Sequence, residues 1–287
     1  MFKEPLDLDN SRLETYGVCP QKYHNQYNLG LATPKHLNTR FSTHLIHDPI
    51  TEWYLNGKDW QLSQQQWDER IESMQITEEE KSVKANAIYT AANAKRIFDF
   101  YTTRFANDHD NYEILGIENY LVDPSLSFGS KPDVRARHKE TGKLYTFELK
   151  FSDWDFILEA VTMNPQFLGQ VNNTGGAGCI VTLITPSGAK WGSFSAVRQE
   201  IEPKPAEMEA WRRETAFKIK QVRQSYAEGV WPKHTPNACT QYGGCFFLTL
   251  CTANHPKEML DRMDKADDPL SYLGQGSQTN EATDGNV

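Results

Sequence analysis

The sequence predicts an α/β protein in which a core sheet carries helical additions. Three observations carry this reading. Strand-forming stretches separated by turn residues are concentrated between positions 112 and 185. Long polar segments with helical spacing lie on either side of them. The resulting order of helices, strands, helix, strand and helix, without internal repeats, belongs to a layered α/β unit rather than to a bundle or a sandwich.

Taken in order, residues 11–29 begin at Ser11, a residue that can cap a helix, and continue with aromatics near helical spacing. In FSTHLIHDPITEWYL, Phe41, Leu45, Ile50 and Trp53 fall on one helix face, with an interruption expected near Pro49. Residues 61–105 are polar and helix-friendly, most periodic over 73–105. Residues 112–122 then read as a strand, DPSLSFGS as a turn-prone connection, and 131–137 as an alternating strand. HKETGK reads as a hairpin loop leading into the strand 144–151. Residues 157–174 have helical spacing, with Pro165 kinking or restarting the helix, and 176–185 form an apolar run suited to a buried strand. After a loop, residues 205–230 form an amphipathic helix.

This gives N-terminal helices over 1–57, a helical insertion over 58–110 and a core over 111–200. A C-terminal helix with clustered cysteines follows over 201–265, and 266–287 reads as a disordered acidic tail.

The 287 residues are 38% hydrophobic, with a mean hydropathy of −0.65. That is polar but compatible with a sizeable core. No stretch approaches the roughly 18 consecutive apolar positions of a membrane span. MFKEPLDLDNSRLE has no apolar region of the kind a signal peptide needs. Five cysteines in such a chain speak for metal binding or inert packing rather than a disulfide framework. We expect a soluble protein of a reducing compartment, the cytoplasm of a bacterial or phage-infected cell, without a membrane partner. The net charge is −8, but the tail beyond residue 265 supplies −4 of it through Asp267, Asp268, Glu281 and Asp284. Net charge therefore neither requires nor excludes a nucleic-acid partner.

The spacing richest in chemistry is Pro132-Asp133 followed by Glu148-Leu149-Lys150. If the strands 131–137 and 144–151 pair, Asp133 and Glu148 converge at one end of the sheet. Lys150 shares the face of Glu148 and Thr146, and Phe147, Leu149 and Phe151 take the opposite face. Two carboxylates and an ammonium on one face suit phosphodiester hydrolysis, with hard oxygen ligands for Mg²⁺ or Mn²⁺ and a cation for the developing charge. The structural alternative is a hairpin with a charged solvent face.

These segments resemble the PD-(D/E)XK nuclease superfamily and, within it, the RecB-like branch. GSKPDVRAR is similar to the segment that carries the Asp, and FELKFSD to the Glu-x-Lys segment. FSTHLIHDPITEWYL is similar to the histidine motif, LGIENYLV to the strand that carries a glutamate, and NPQFLGQ to the Q-x-x-x-Y motif. The resemblance implies a restriction-endonuclease-like core, a central mixed sheet flanked by helices. It implies metal ligation by His47, Asp133, Glu148 and the Leu149 carbonyl, with His44 as the competing histidine. Asp133, Glu148 and Lys150 are the implied catalytic residues, supported by Glu118 and Gln166. Where the motif has Tyr this chain has Gln170, a departure. The implied activity is a metal-dependent, sequence-independent DNA exonuclease of recombination, repair or phage DNA processing. A non-catalytic subunit that keeps the fold, or a nuclease acting on RNA, is the alternative.

Cys239, Cys245 and Cys251 have five residues between successive members, and Gly243-Gly244 permits a tight turn toward a metal centre. Cys19 lies in CPQKYHNQY, which is similar to the Cys-Pro-basic-aromatic motif of RecB-like families such as the AddB-type nucleases and the RecB-like CRISPR-associated exonucleases. That resemblance implies that Cys19, Cys239, Cys245 and Cys251 hold a [4Fe–4S] cluster that staples the C-terminal segment to the N-terminus. A Cys₄ zinc site is the alternative, and three unrelated buried cysteines the structural one. Cys179, in an apolar run, reads as a buried strand residue.

For DNA ends, single- or double-stranded, Lys131, Arg135 and Arg137 lie beside the expected site. Arg212, Arg213 and Lys220 sit on the basic helix, where Trp211, Phe217 and Tyr226 offer stacking or packing surface. No base-reading motif is present. A second copy of the chain or a recombination protein is the expected macromolecular partner.

Overall fold

In a computed structural model, the described residues are 5–31, 37–74, 76, 89–151, 164–187, 192–234, 237–240, 244–253, 260 and 263. The expected disordered tail, and the stretches 77–88 and 157–163 of the expected helices, lie outside them. The chain divides into two compact units. One is Pro34–Glu214, and the other is built from both chain ends, Met1–Thr33 with Thr215–Val287.

The larger unit is a mixed five-stranded sheet flanked by helices. Its strands run β1 (Tyr112–Ile117), β4 (Val134–His138), β5 (Leu144–Phe151), β6 (Gly178–Ser187) and β7 (Ser193–Ile201). Only β5 and β6 are parallel, with Tyr145 opposite Gly178 and Phe151 opposite Ile184. A parallel pair needs a crossover, and helix α8 (Pro165–Thr174) lies on it. On one face α3 (Leu37–Phe41), α4 (Asp48–Asn56), α5 (Gln64–Ser73) and α6 (Ala91–Arg104) pack onto Val134, Phe147, Leu149, Ile180 and Ile184. On the other face Phe167 and Val171 of α8 meet Cys179, Val181 and Ile201. The alternation read in the 144–151 strand thus holds. Phe147 and Leu149 enter one core, while Thr146, Glu148 and Lys150 point to the α8 side.

Several boundaries differ from the sequence reading. The strand expected over 131–137 begins at Val134, because Pro132 has no N–H to place in a ladder. The strand expected over 112–122 ends at Ile117, and its last residues pair with the expected connection as a separate hairpin, β2 (Leu121–Asp123) with β3 (Phe128–Ser130). Its turn closes on the Asp123 carboxylate, which accepts from the Ser125 N–H at 2.9 Å and the Ser125 hydroxyl at 2.6 Å. The stretch read as a loop before 205 includes edge strand β7, whose small and polar residues conceal it. The interruption expected near Pro49 takes the form of a π-helical turn, Ser42–His47. Pro49 itself sits in the first turn of α4, where its missing N–H costs little. A short helix, α7 (Asp108–Asn111), precedes β1.

The smaller unit contains α1 (Asn10–Val18), α2 (Pro20–Tyr23) and a π-helical turn, His24–Asn28. From the other chain end it receives the C-terminal part of α9 (Pro205–Glu228), α10 (Asn237–Thr240) and α11 (Leu248–Thr252). The cap of α1 is Asp9, which accepts from the Arg12 N–H at 2.8 Å, rather than Ser11. Tyr23, Tyr226 and Trp231 pack ring on ring, joining the two chain ends within this unit.

Candidate active site

The candidate site lies in the larger unit, at the ends of β1, β4 and β5 and the start of α8. Asp133, just ahead of β4, is buried, and its Oδ2 accepts from the Leu149 N–H at 2.6 Å. His47, at the end of the π-helical turn, brings Nδ1 to 3.5 Å from the same oxygen. Glu118 follows β1 in a left-handed conformation, φ 50°, uncommon for a non-glycine residue. Its N–H donates to the Asp133 carbonyl at 3.1 Å, and its carboxylate pairs with Lys131. One ligand atom from each of His47, Glu118 and Asp133 lies within 4.8 Å of the others. The two carboxylates are the hard oxygen donors a small divalent ion takes, and the imidazole adds a borderline nitrogen donor.

Glu148 lies on the same end of β5 but is engaged differently. Its Oε1 accepts from Lys150 Nζ at 2.6 Å and from Gln166 Nε2 at 2.7 Å. Its Oε2 accepts from Gln170 Nε2 at 2.6 Å. Lys150 also donates to Gln166 Oε1 at 3.1 Å. Sequence reasoning made Glu148 a ligand and Glu118 a supporting residue. The geometry gathers Glu118 with His47 and Asp133, and encloses Glu148 among an ammonium and two amides.

Local sequence explains the helix that delivers those amides. Asn164 caps α8 by accepting from the Gln166 N–H at 2.9 Å, and Pro165 occupies the first turn, so the proline starts the helix. Gly175, φ 61°, ends it in the left-handed conformation. Gln166 and Gln170 are four apart and share the face toward β5.

The charges are strongly coupled. Burial works against the His47 imidazolium, but the carboxylates of Asp133 and Glu148 outweigh it and push the pKa up to about 9. Burial alone would raise Asp133, yet His47 and Lys150 and the Leu149 N–H hold it below the usual carboxylate range. Glu148 is raised, first by burial and then by Asp133, against the pull of Lys150 and Gln170. Lys150 is raised because Glu148 and Asp133 overcome its burial. Burial also raises Glu118, opposed by Lys131.

His44 stands outside this group: it is half-exposed, 3.4 Å from Asp48. Gln170, which appeared in the sequence only as a departure from the motif, is a direct partner of Glu148. Its Oε1 in turn faces the Cys179 thiol at 3.6 Å. Cys179 is buried on β6, as expected for a strand residue.

Cys19, Cys239, Cys245 and Cys251 line one small cavity in the smaller unit, together with Lys22 and Lys233. All are free thiols. Cys19 lies at the junction of α1 and α2, and the Cys245 N–H donates to the Cys239 carbonyl at 2.9 Å. Among the described residues, however, no three of these sulfurs lie within 4.8 Å of one another, so the expected four-cysteine cluster is not shown as a gathered ligand set.

Several expected phosphate contacts are already engaged. Lys131 pairs with Glu118, and Arg137 with Glu113 at 2.7 Å. Arg212 binds Asp123 at 2.9 Å, Ser125 and Asn172, which fastens α9 to the β2–β3 hairpin. Arg213 lies 3.9 Å from Glu209 on the exposed face of α9. Trp211 is buried against Phe128, and Tyr226 packs on Trp231, whereas Phe217 is exposed. Lys220 is exposed on α9, and Arg135 is half-buried on β4.

No family model matches the chain, and no curated protein matches it. Among solved structures, a protein called SSO0001 is similar over 78% of this chain and 78% of its own, at 12% identity and a TM-score of 0.33. An alkaline exonuclease, LHK-Exo, from Laribacter hongkongensis is similar over 67% of this chain and 100% of its own, at 14% identity and a TM-score of 0.29. Likenesses this faint carry no weight for function, which rests on the residues above. Among the described residues, no helix is long and apolar enough to cross a membrane.

Proposed function

We propose that the chain is a divalent-metal-dependent DNA exonuclease of the RecB-like PD-(D/E)XK type, cutting without sequence specificity. The observation that supports it most is the joint placement of His47, Glu118 and Asp133 beside the Glu148–Lys150 pair. A structural hairpin has no use for a buried Glu148 carboxylate joined to a lysine on its own strand and to two carboxamides from α8.

In this reading His47, Asp133 and Glu118 hold Mg²⁺ or Mn²⁺, with Glu148 and the Leu149 carbonyl as further oxygens beside them. The ion supplies Lewis-acid polarisation of the scissile phosphate and acidifies a water. Lys150, kept charged by Glu148 and Asp133, orients the attacking water and opposes charge that develops on the phosphate. Gln166 and Gln170 fix the Glu148 carboxylate, so that the lysine is aimed before substrate arrives. Lys220, exposed on α9, and Arg135, half-buried on β4, are the basic side chains that would meet phosphates, and Lys131 would have to give up Glu118 to join them. In the smaller unit, Cys19, Cys239, Cys245 and Cys251 hold a [4Fe–4S] cluster, or zinc, and join the chain's two ends.

The test is degradation of end-labelled linear single- and double-stranded DNA with Mg²⁺ or Mn²⁺, under anaerobic conditions. Parent protein should degrade DNA only with the metal, and Glu148→Ala and Lys150→Ala should lose the activity. Intact DNA after incubation with metal-loaded parent would overturn the exonuclease reading in favour of a DNA-binding subunit, and RNA would be tried next. Iron and zinc analysis of anaerobically purified protein tests the cysteine site, and Cys245→Ala should lose the metal and melt earlier. Unchanged metal content and melting would remove the staple from the proposal.

A further inference from the structure

We propose that Lys131 is an exchangeable counter-ion. It neutralises Glu118 while no divalent ion is bound, and it passes to a phosphate of the DNA strand once Glu118 turns to the ion. Ion and strand then strengthen each other's binding, as linkage requires. This inference rests on the exonuclease reading and deepens it by naming what couples the ion to the substrate.

The ligand group has an inner and an outer side. His47 and Asp133 form the inner one, with side chains 21% and 9% exposed. Glu118 and Lys131 form the outer one, with side chains 36% and 49% exposed. The Lys131 ammonium pairs with the Glu118 carboxylate. That same carboxylate offers a ligand atom within 4.8 Å of those of His47 and Asp133. The more exposed carboxylate of the group is therefore matched already with a cation from its own chain.

The main chain holds both members of the pair in place. The β1–β4 ladder shifts register between Ile114 and Gly116, a bulge of the kind that re-aims a side chain at the end of a sheet. Glu118 follows with φ 50°, and its N–H is tied to the Asp133 carbonyl at 3.1 Å. Lys131 is joined to Asp133 through Pro132, whose ring fixes φ at about −65°. What is left to move is one carboxylate and one flexible four-carbon stem.

Charge sets the direction of the exchange. An exposed ion pair contributes little, whereas a divalent ion and an ammonium crowded onto one carboxylate repel each other. When Glu118 serves the ion, the ammonium keeps three donors on the solvent side of the group. A strand whose phosphate reaches the ion brings the next anion within its range. No covalent bond and no proton changes hands, because Glu118 and Lys131 each trade one partner for another.

The salt dependence of DNA binding reads this exchange. A duplex oligonucleotide is titrated by fluorescence anisotropy at several salt concentrations, with and without Mn²⁺, in the Lys150→Ala background so that the strand survives. With Mn²⁺, adding Lys131→Gln should lower the slope of log affinity against log salt by about 0.9, one phosphate contact on duplex DNA. Without Mn²⁺ the two slopes should agree, because Glu118 then holds Lys131. Lys131→Arg should keep its parent's slope in both conditions. Mn²⁺ titration without DNA, read by electron paramagnetic resonance, gives a second measure. There Lys131→Gln should bind Mn²⁺ about 2- to 5-fold more tightly, the effect of removing an exposed ion pair. A slope loss of equal size with and without Mn²⁺ overturns the exchange, since Lys131 then meets phosphate whatever Glu118 does. No slope loss in either condition, or an unchanged Mn²⁺ affinity, overturns it as well. Because binding is read, a protein that takes Mn²⁺ but leaves DNA intact still tests the exchange. A parent that takes no Mn²⁺ overturns the ligand group and the exchange together.

Discussion

The Leu149 N–H donates to Asp133 Oδ2 at 2.6 Å, and that single bond fastens the lead-in of β4 to the C-terminal end of β5. The same oxygen faces His47 Nδ1 at 3.5 Å. Asp133 is therefore oriented by backbone on one side and by a helix-borne imidazole on the other, before any ligand is present. The Asp133 side chain, lying just ahead of the β4–β5 ladder, sets this geometry through its bond to the β5 backbone.

From this follows a prediction that separates two histidines three residues apart. His47→Ala should weaken Mn²⁺ binding by about 10-fold or more, the usual scale for losing a group that ligates or orients a metal site. His44→Ala should leave it unchanged, because His44 is half-exposed beside Asp48. Titration of Mn²⁺ by electron paramagnetic resonance reads both, and equal losses would remove His47 from the ligand set.

Gln170, a departure from the motif, is the least expected partner of Glu148. Both side chains are buried, so Gln170→Leu strands Glu148 Oε2 without its donor. The expected cost is about 1–3 kcal/mol in urea unfolding. DNA degradation should fall as well, because Glu148 then holds Lys150 less firmly. Unaltered stability would mean that the carboxylate finds another donor, and the positioning role would lapse.

A buried ionic cluster below β7 governs stability instead of chemistry. Arg198 Nη1 lies 2.8 Å from both Asp108 oxygens, Nη2 reaches the Tyr54 and Tyr101 hydroxyls, and the guanidinium lies 3.6 Å from the centre of the Phe105 ring. Asp108→Ala should cost about 3–5 kcal/mol by leaving the arginine buried and uncompensated. Adding Arg198→Met should recover part of that loss, since the unpaired charge goes too. A double-mutant cycle by chemical denaturation checks it, and simple additivity would show that the two groups are not coupled.

How far the sequence discloses these features depends on range. The alternation of β5, the Glu-x-Lys spacing and the Asn-Pro start of α8 are local, and each is legible because neighbouring residues alone determine it. The α/β core sheet follows from the order of elements, and its mixed character from the motif resemblance. Glu118 is legible as a residue but not as a ligand, because its position depends on a left-handed turn after β1. Gln170 gains meaning only from Glu148, 22 positions earlier. Arg198 looks like any charge on a solvated strand until Asp108, 90 positions away, is folded against it. Strand β7 escaped for a related reason: an edge strand packs little, so its pattern stays polar.

Asp123 supplies a prediction in pH. Burial alone would raise its pKa, but hydrogen bonds from Ser125, Asn172 and Arg212 outweigh that and hold it well below the usual carboxylate range. A carboxyl whose folded pKa is depressed binds its proton more readily in the unfolded chain. Its contribution to stability is therefore present above the unfolded value, about 3.9, and is lost as pH falls through the folded one. Asp123→Asn keeps the size but removes the charge that Arg212 meets at 2.9 Å. The parent should melt higher than Asp123→Asn at pH 7, and the gap should narrow progressively below about pH 4. Because Arg212 is partly exposed, added salt should narrow the gap at neutral pH too. A melting difference that stays constant from neutral pH into the acid range would show that Asp123 acts through its hydrogen bonds alone, with no contribution from its charge.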